Sequence, residues 1–183
     1  KNQIKLIKSL RVKKNRIQSG FFIAEGEKII DELLQSKLET VHIFSTVNKY
    51  NFSDYYIPIK NTQLKQISNL KTPNKVVGLF KIPKNSVIDF NSNIIALEEI
   101  NDPGNLGTII RLCDWYGLKN IICSNNSVDC YNPKVVQSSM GSLARVNIFY
   151  EDLKPYLSKV SIPVYGTFLD GELINKLIFP KEF

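Results

Sequence analysis

The segment from Asn93 to Gly117 limits the possible folds more than any other part of this chain. Residues 93–100, Asn-Ile-Ile-Ala-Leu-Glu-Glu-Ile, form an apolar run that reads as a buried strand. Leu106, Ile109, Ile110 and Cys113 then recur at helical spacing. Asp102-Pro103-Gly104 between them is strong turn chemistry. Asn105 stands where a helix N-cap belongs, and Gly117 where a C′ glycine ends the helix. A strand, a tight turn and a helix in succession open a parallel α/β unit, and such sheets bind ligands beyond the C-terminal ends of their strands. Asn105 and Arg111 are polar residues near that edge with no evident core duty, so they are the candidate functional pair; an ordinary solvated helix face is the competing reading. Gly104 and Gly107 give only GxxG, and neither a GxGxxG fingerprint nor a GxxxxGK[ST] phosphate loop is present, which disfavours dinucleotide binding.

The same alternation extends in both directions. Residues 1–18 carry Ile4, Ile7 and Leu10 at helical spacing with cations between them, a basic amphipathic helix broken at Gly20. Strands are expected at 21–24, 40–44, 56–59 and 75–82, with helices at 26–36 and 61–70. This first unit closes near Pro83, and residues 83–86 read as a linker. From residue 87 onward, strands are expected at 94–100, 119–124, 145–149 and 162–168, and helices at 106–116, 133–142 and 151–159. Short loops between alternating elements imply βαβ units and a mainly parallel sheet. The polar loop 124–129 follows a strand at the same edge, and Lys134, Gln137 and Ser138 open the next helix, whose N–H groups and dipole suit an RNA phosphate as well as they suit ordinary capping. Gly141 is expected to let that helix pack closely on the sheet.

Charge is unevenly placed. Lys1, Lys5, Lys8, Arg11, Lys13, Lys14 and Arg16 fall within the first 16 residues with no acid among them, and these seven account for the whole net charge of +7. A basic segment on an otherwise neutral body points to a polyanion, with a solvated helix face as the alternative. No apolar run approaches the roughly 18 residues of a membrane span, and the basic N-terminus lacks the long apolar stretch of a signal peptide. Cys113, Cys123 and Cys130 fit neither CxxC nor a zinc pattern and read as buried free thiols of a reducing compartment. The single histidine, His42, in Thr-Val-His-Ile-Phe, reads as a strand residue rather than a ligand, which argues against a histidine-based triad or a multi-histidine metal site.

Several stretches carry a resemblance. Asn101 followed by Asn105-Leu106-Gly107-Thr108-Ile109-Ile110-Arg111, continuing through Cys113-Asp114-Trp115-Tyr116-Gly117, resembles the first signature motif of the SpoU-type (TrmH-like) RNA 2′-O-ribose methyltransferases of the SPOUT class. Asn132-Pro133-Lys134-Val135-Val136-Gln137-Ser138-Ser139-Met140-Gly141-Ser142-Leu143 resembles the family's next conserved segment, and Phe22-Ile23-Ala24-Glu25-Gly26-Glu27-Lys28-Ile29-Ile30 the start of its substrate-binding domain. A loop like the family's second motif, Gly-Asn-Glu-x-x-Gly, is not found here, nor is its Ser/Asn-rich third.

The resemblance implies an α/β protein with a small ribosomal-protein-like RNA-binding domain over residues 1–82 and the first part of a SPOUT methyltransferase domain over 87–183, the knot-forming C-terminal part missing. It implies methyl transfer from S-adenosylmethionine to a ribose 2′-OH of tRNA or rRNA by a cytoplasmic homodimer, with neither metal nor membrane. Asn105 and Arg111 match the family's catalytic Asn and Arg. The RNA-binding residues are expected to be Lys5, Lys8, Arg11, Lys13, Lys14, Arg16, Lys134, Gln137 and Ser138, with the cofactor residues in the missing part, so that this chain is expected to be inactive alone. A non-catalytic RNA-binding protein of ribosomal type is the alternative, and a small-molecule α/β enzyme a third reading that lacks a recognisable nucleophile.

Overall fold

The computed structural model of the chain describes residues 2–84, 87–88 and 92–179. Among the described residues, seven α-helices and seven strands run in the order α1 (Asn2–Ser9), α2 (Lys13–Ser19), β1 (Phe21–Glu25), α3 (Glu27–Leu34), β2 (Thr40–Ser45), β3 (Tyr56–Pro58), α4 (Asn61–Ile67), β4 (Val76–Lys81), β5 (Ile94–Leu97), α5 (Pro103–Trp115), β6 (Asn120–Ser124), α6 (Pro133–Ser139), β7 (Asn147–Glu151) and α7 (Leu153–Leu157). They build two sheets. The first has strand order β1-β4-β2-β3, with β4 antiparallel to both β1 and β2, and β3 parallel to β2. The second, β5-β6-β7, is wholly parallel, which makes the fold α/β with the expected parallel sheet in its second half.

Each strand alternates its side chains between two cores. In the first sheet Phe22, Ala24, Ile43, Val76 and Phe80 face one cluster, while Ile23, Phe44, Val77 and Leu79 face another built with Ile7 and Leu10 of the N-terminal segment and Leu64 and Ile67 of α4. The first of these clusters does not stop at the lobe. It continues through Leu106, Ile110 and Cys113 of α5, Ile121 and Cys123 of β6, and Val135 and Val136 of α6. The two sheets therefore share one apolar interior, and the Phe22 and Tyr131 rings meet across the boundary at 4.9 Å.

The local departures from sequence pattern have visible causes. The N-terminal segment is two helices, not one: the chain breaks at Leu10–Val12, where Leu10 is fully buried and the Arg16 guanidinium donates to the Leu10 and Arg11 carbonyls. Helix α5 starts at Pro103, not 106, because Asp102 is the N-cap, its carboxylate accepting the Asn105 N–H at 2.8 Å; Asn105 is the third residue of the helix. Its far end follows the pattern, with Gly117 left-handed at φ 73° and Leu118 N–H returning to the Cys113 carbonyl. Strand β5 ends at Leu97 because Glu99 turns left-handed at φ 46°. Helix α6 ends at Ser139, since Met140 and Gly141 both take positive φ. Gly141 meets α3 of the other lobe rather than the sheet: a Cβ there would lie 2.6 Å from Glu32 Cβ.

Strand β7 covers 147–151 and α7 only 153–157. Residues 162–168 form no strand. Val164 and Phe168 are exposed there, and no ladder partner among the described residues takes up this backbone, so an alternating apolar pattern alone does not make sheet. Of the expected linker, Asn85 and Ser86 lie outside the described residues.

Candidate functional site

The C-terminal edge of the parallel sheet is shaped by loop-to-loop hydrogen bonds. The Ser124 hydroxyl accepts the Glu99 N–H at 2.8 Å, the Ser127 hydroxyl accepts the Ile100 N–H at 3.2 Å, and the two hydroxyls lie 3.0 Å apart. Val128 N–H then reaches the Ile100 carbonyl. This stitching orients the backbone that leads through Asn101 into α5. Left-handed backbone at a non-glycine residue such as Glu99 persists only where the surroundings hold it, and here they do.

Asn105 is exposed on the first turn of α5. Arg111, also exposed, lies six residues on, which places it ~9 Å along the helix and about 120° around it. Among the described residues no hydrogen bond joins the two, so Asn105 does not hold Arg111. Arg111 opens instead onto a groove of about 450 Å³ at the lobe boundary, lined also by Glu32, Thr108, Trp115, Met140 and Arg145. Arg145 there is forked onto Asp114 at 2.8–3.0 Å and reaches Glu32 at 2.8 Å. That contact holds the Asp114 carboxyl below its usual range and raises the guanidinium further. No carboxylate pairs with Arg111 among the described residues, so its charge faces the groove.

The tight packing behind the site depends on Gly107. A Cβ there would lie 2.0 Å from Ser138 Oγ and 2.9 Å from Ser139 N, so the glycine lets α5 lie against α6. Ser138 belongs to this junction: its hydroxyl donates towards the Lys134 carbonyl at 2.7 Å and the Pro103 carbonyl at 3.1 Å. Lys134 is exposed with Nζ 3.9 Å from Asp102, and Gln137 is half-buried.

The basic N-terminus divides. Lys5, Lys8, Arg11, Lys13 and Lys14 are exposed; Arg11 donates to the Ser68 carbonyl at 2.8 Å, and Lys13 Nζ sits 5.9 Å above the Tyr150 ring at the end of β7. Arg16 corrects the sequence reading. It is 2% exposed and donates to Asp129 at 2.6 and 2.9 Å, so it is not presented to RNA in this fold. Its partner, 113 residues away, carries no local signal in the sequence; nor do Glu32 and Asp114 around Arg145.

His42 lies in β2 with its ring nitrogen 3.2 Å from Gln3 Nε2. The three cysteines are buried free thiols, and burial pushes Cys123 up to about 12 and raises Cys113 and Cys130 as well. No group of three or more His, Cys, Asp or Glu suited to a metal occurs among the described residues.

Residues 92–183, which carry this edge and all of the groove's lining but Glu32, match the model of the SpoU rRNA Methylase family. The chain belongs to that family. Residues 1–78 of this SpoU chain match the MRM3-like substrate binding domain. The 23S rRNA (guanosine(2553)-2'-O)-methyltransferase RlmP of Bacillus subtilis (strain 168) is 28% identical over 180 residues, an alignment covering 93% of this chain and 72% of that protein. The human mitochondrial rRNA methyltransferase 3 is 26% identical over 188 residues, covering 88% of this chain; the chain spans only 44% of that relative's length. Among solved structures, a TrmH-family protein from Porphyromonas gingivalis superposes with TM-score 0.86 at 32% identity, over 98% of this chain and 75% of that one. The AdoMet-bound rRNA methyltransferase from Sinorhizobium meliloti gives 0.73 at 26% identity, over 85% and 65%.

Proposed function

We propose that this SpoU-family chain serves an rRNA 2′-O-ribose methyltransferase that takes its methyl group from S-adenosylmethionine, with residues 1–82 engaging RNA. The observation that carries the RNA reading is placement: Lys13 stands above Tyr150 at the end of β7 and α2 is tied to the loop that follows β6, which brings the basic segment to the sheet edge. S-adenosylmethionine, when bound, supplies a methyl group on a cationic sulfur. Transfer would form a ribose O–C bond as the C–S bond breaks, with the hydroxyl proton passing to solvent. Arg111 is suited to steering a phosphate or stabilising charge that develops on that oxygen, rather than to taking the proton. The serine hydroxyls at the sheet edge are spent on backbone N–H groups and on each other, so they do not themselves form a cradle for the cofactor.

Association into a homodimer belongs to the same reading. Leu112, Trp115, Tyr116 and Met140 are exposed by 51%, 85%, 74% and 40% beside Arg111, an apolar surface suited to a second copy. A reducing, cytoplasmic setting suits three buried free thiols. Among the described residues no helix is long and apolar enough to cross a membrane.

The test is transfer of label from S-adenosylmethionine to ribosomal RNA by the full gene product, beside Arg111→Ala. Label on ribose 2′-O, reduced about 10²–10³-fold in the variant, is expected for loss of a group that stabilises transition-state charge. RNA binding that weakens steeply with salt but never leads to transfer would leave a non-catalytic RNA-binding protein.

A further inference from the structure

The polar groups of Arg16 are unusually well accounted for. Its Nη1 donates to the Leu10 carbonyl at 2.7 Å and the Arg11 carbonyl at 3.0 Å, the two groups left open where α1 gives way to α2. Its Nε and Nη2 close on Asp129 Oδ2. Asp129 in turn uses Oδ1 to accept the Tyr131 N–H at 3.1 Å, and its carbonyl accepts the Asn132 N–H at 2.9 Å. Asn132 caps α6 through the Lys134 N–H. One planar guanidinium thus fixes the bend in the basic arm and, through a single carboxylate, the turn that launches α6. Both contacts are shielded from solvent, with the two side chains 2% and 14% exposed. Alongside, Lys13 packs over Tyr150, whose hydroxyl accepts the Cys130 N–H and donates to the Val128 carbonyl.

We propose that Arg16 is a positioning residue that holds the basic arm against residues 125–134, so that a single RNA strand is gripped by both lobes at once. Lys13 and Lys14 on one side and Lys134 on the other then form one cationic track across the boundary. This rests on the RNA-binding reading above. It assigns Arg16 a role opposite to that of its neighbours: they meet phosphate, and it sets where they stand. Lysine does not replace it, because an ammonium lacks the fork that reaches a carboxylate and two carbonyls together.

The experiment is ultraviolet cross-linking of fragmented ribosomal RNA to the 183-residue chain, with cross-linked peptides mapped by mass spectrometry. It compares the wild type with Arg16→Lys, Asp129→Asn and, as a contact control, Lys14→Ala, each checked by thermal melting to be folded at the working temperature. Asn at position 129 keeps an acceptor for the Tyr131 N–H but loses the charge. In the wild type, cross-links are expected in both α1–α2 and residues 125–137. In Arg16→Lys and Asp129→Asn those in 125–137 fall towards background while those in α1–α2 persist, and the salt slope of binding falls by the same amount in both, because the Lys134 contact is lost with the second lobe. Lys14→Ala keeps the ratio between the two regions but lowers the salt slope by about 0.7–0.9, the signature of one lost phosphate contact. An unchanged cross-link ratio in a folded variant of either position overturns the proposal. So does a lowered ratio in Arg16→Lys with the wild-type ratio kept in Asp129→Asn, which would place Arg16 on RNA itself. A wild type that cross-links nowhere overturns the RNA reading, and the positioning role with it, so the two failures are told apart.

Discussion

Two arginines cross the boundary between the lobes, and their surroundings make them different devices. Arg16 reaches from the N-terminal arm into the second lobe, is 2% exposed, and spends its donors on one carboxylate and two carbonyls. Arg145 reaches the other way, to Glu32 of α3, while forked on Asp114 of its own lobe, and its side chain is 45% exposed. Both are ion pairs at close range. Water decides what each is worth: a buried charge robbed of its partner is left stranded, whereas an exposed one is rehydrated. The Arg16 seam is therefore structural, and the Arg145 seam an adjustable rim of the groove that holds Arg111.

The largest effect expected from breaking this contrast is at Arg16. Arg16→Ala strands Asp129 and two carbonyls and should lower unfolding stability by about 3–5 kcal/mol, measured by urea denaturation. A loss below 1 kcal/mol would erase the distinction between the seams. Gly141→Ala attacks the exposed seam through the backbone. Gly141 sits at φ 95° with Glu32 Cβ 2.6 Å from any added methyl, so about 1–3 kcal/mol should be lost. Arg145→Ala removes only the charges there and should cost about 0.2–1 kcal/mol, shrinking with added salt.

The smallest effect sharpens the same point by titration. Because the Asp114 carboxyl is held below its usual range by Arg145, its contribution is complete at neutral pH and above the ordinary carboxylate range, and is lost as pH falls through its lowered folded value. The difference in stability between wild type and Arg145→Ala should accordingly close as melts are carried into acid. A difference that persists there would assign the cost to packing rather than charge.

How much of this was legible beforehand follows from the range of each interaction. Helix α5 could be read because its signals are local: turn chemistry ahead of it, apolar residues at turn spacing, Gly117 just past its end. Only the cap moved, from Asn105 to Asp102, since both are capping residue types and the side-chain geometry chose between them. The parallel order of β5, β6 and β7 was implied by alternation with helices. Arg16 could not be distinguished from Lys13 or Lys14 by pattern, because what buries it is an aspartate on another lobe. Residues 162–168 illustrate the converse: the alternation is present, but a strand also needs a neighbour's backbone. Asn105 and Arg111 stood out as polar residues beside a strand end, yet the groove that Arg111 shares with Glu32 depends on how the lobes meet.

The interior common to both sheets also has a consequence for how the molecule is made. Phe22, Ile30, Val76 and Phe80 are finished only when Leu106, Ile121 and Val135 arrive against them. A ribosome adding about 5–20 residues per second releases the first lobe several seconds before its lid is synthesised. Through that interval the nascent chain carries a bare oily face and an arm whose arginine has not yet met its aspartate. Final consolidation thus waits for the second half of the chain, and the two sheets should melt together in one cooperative transition.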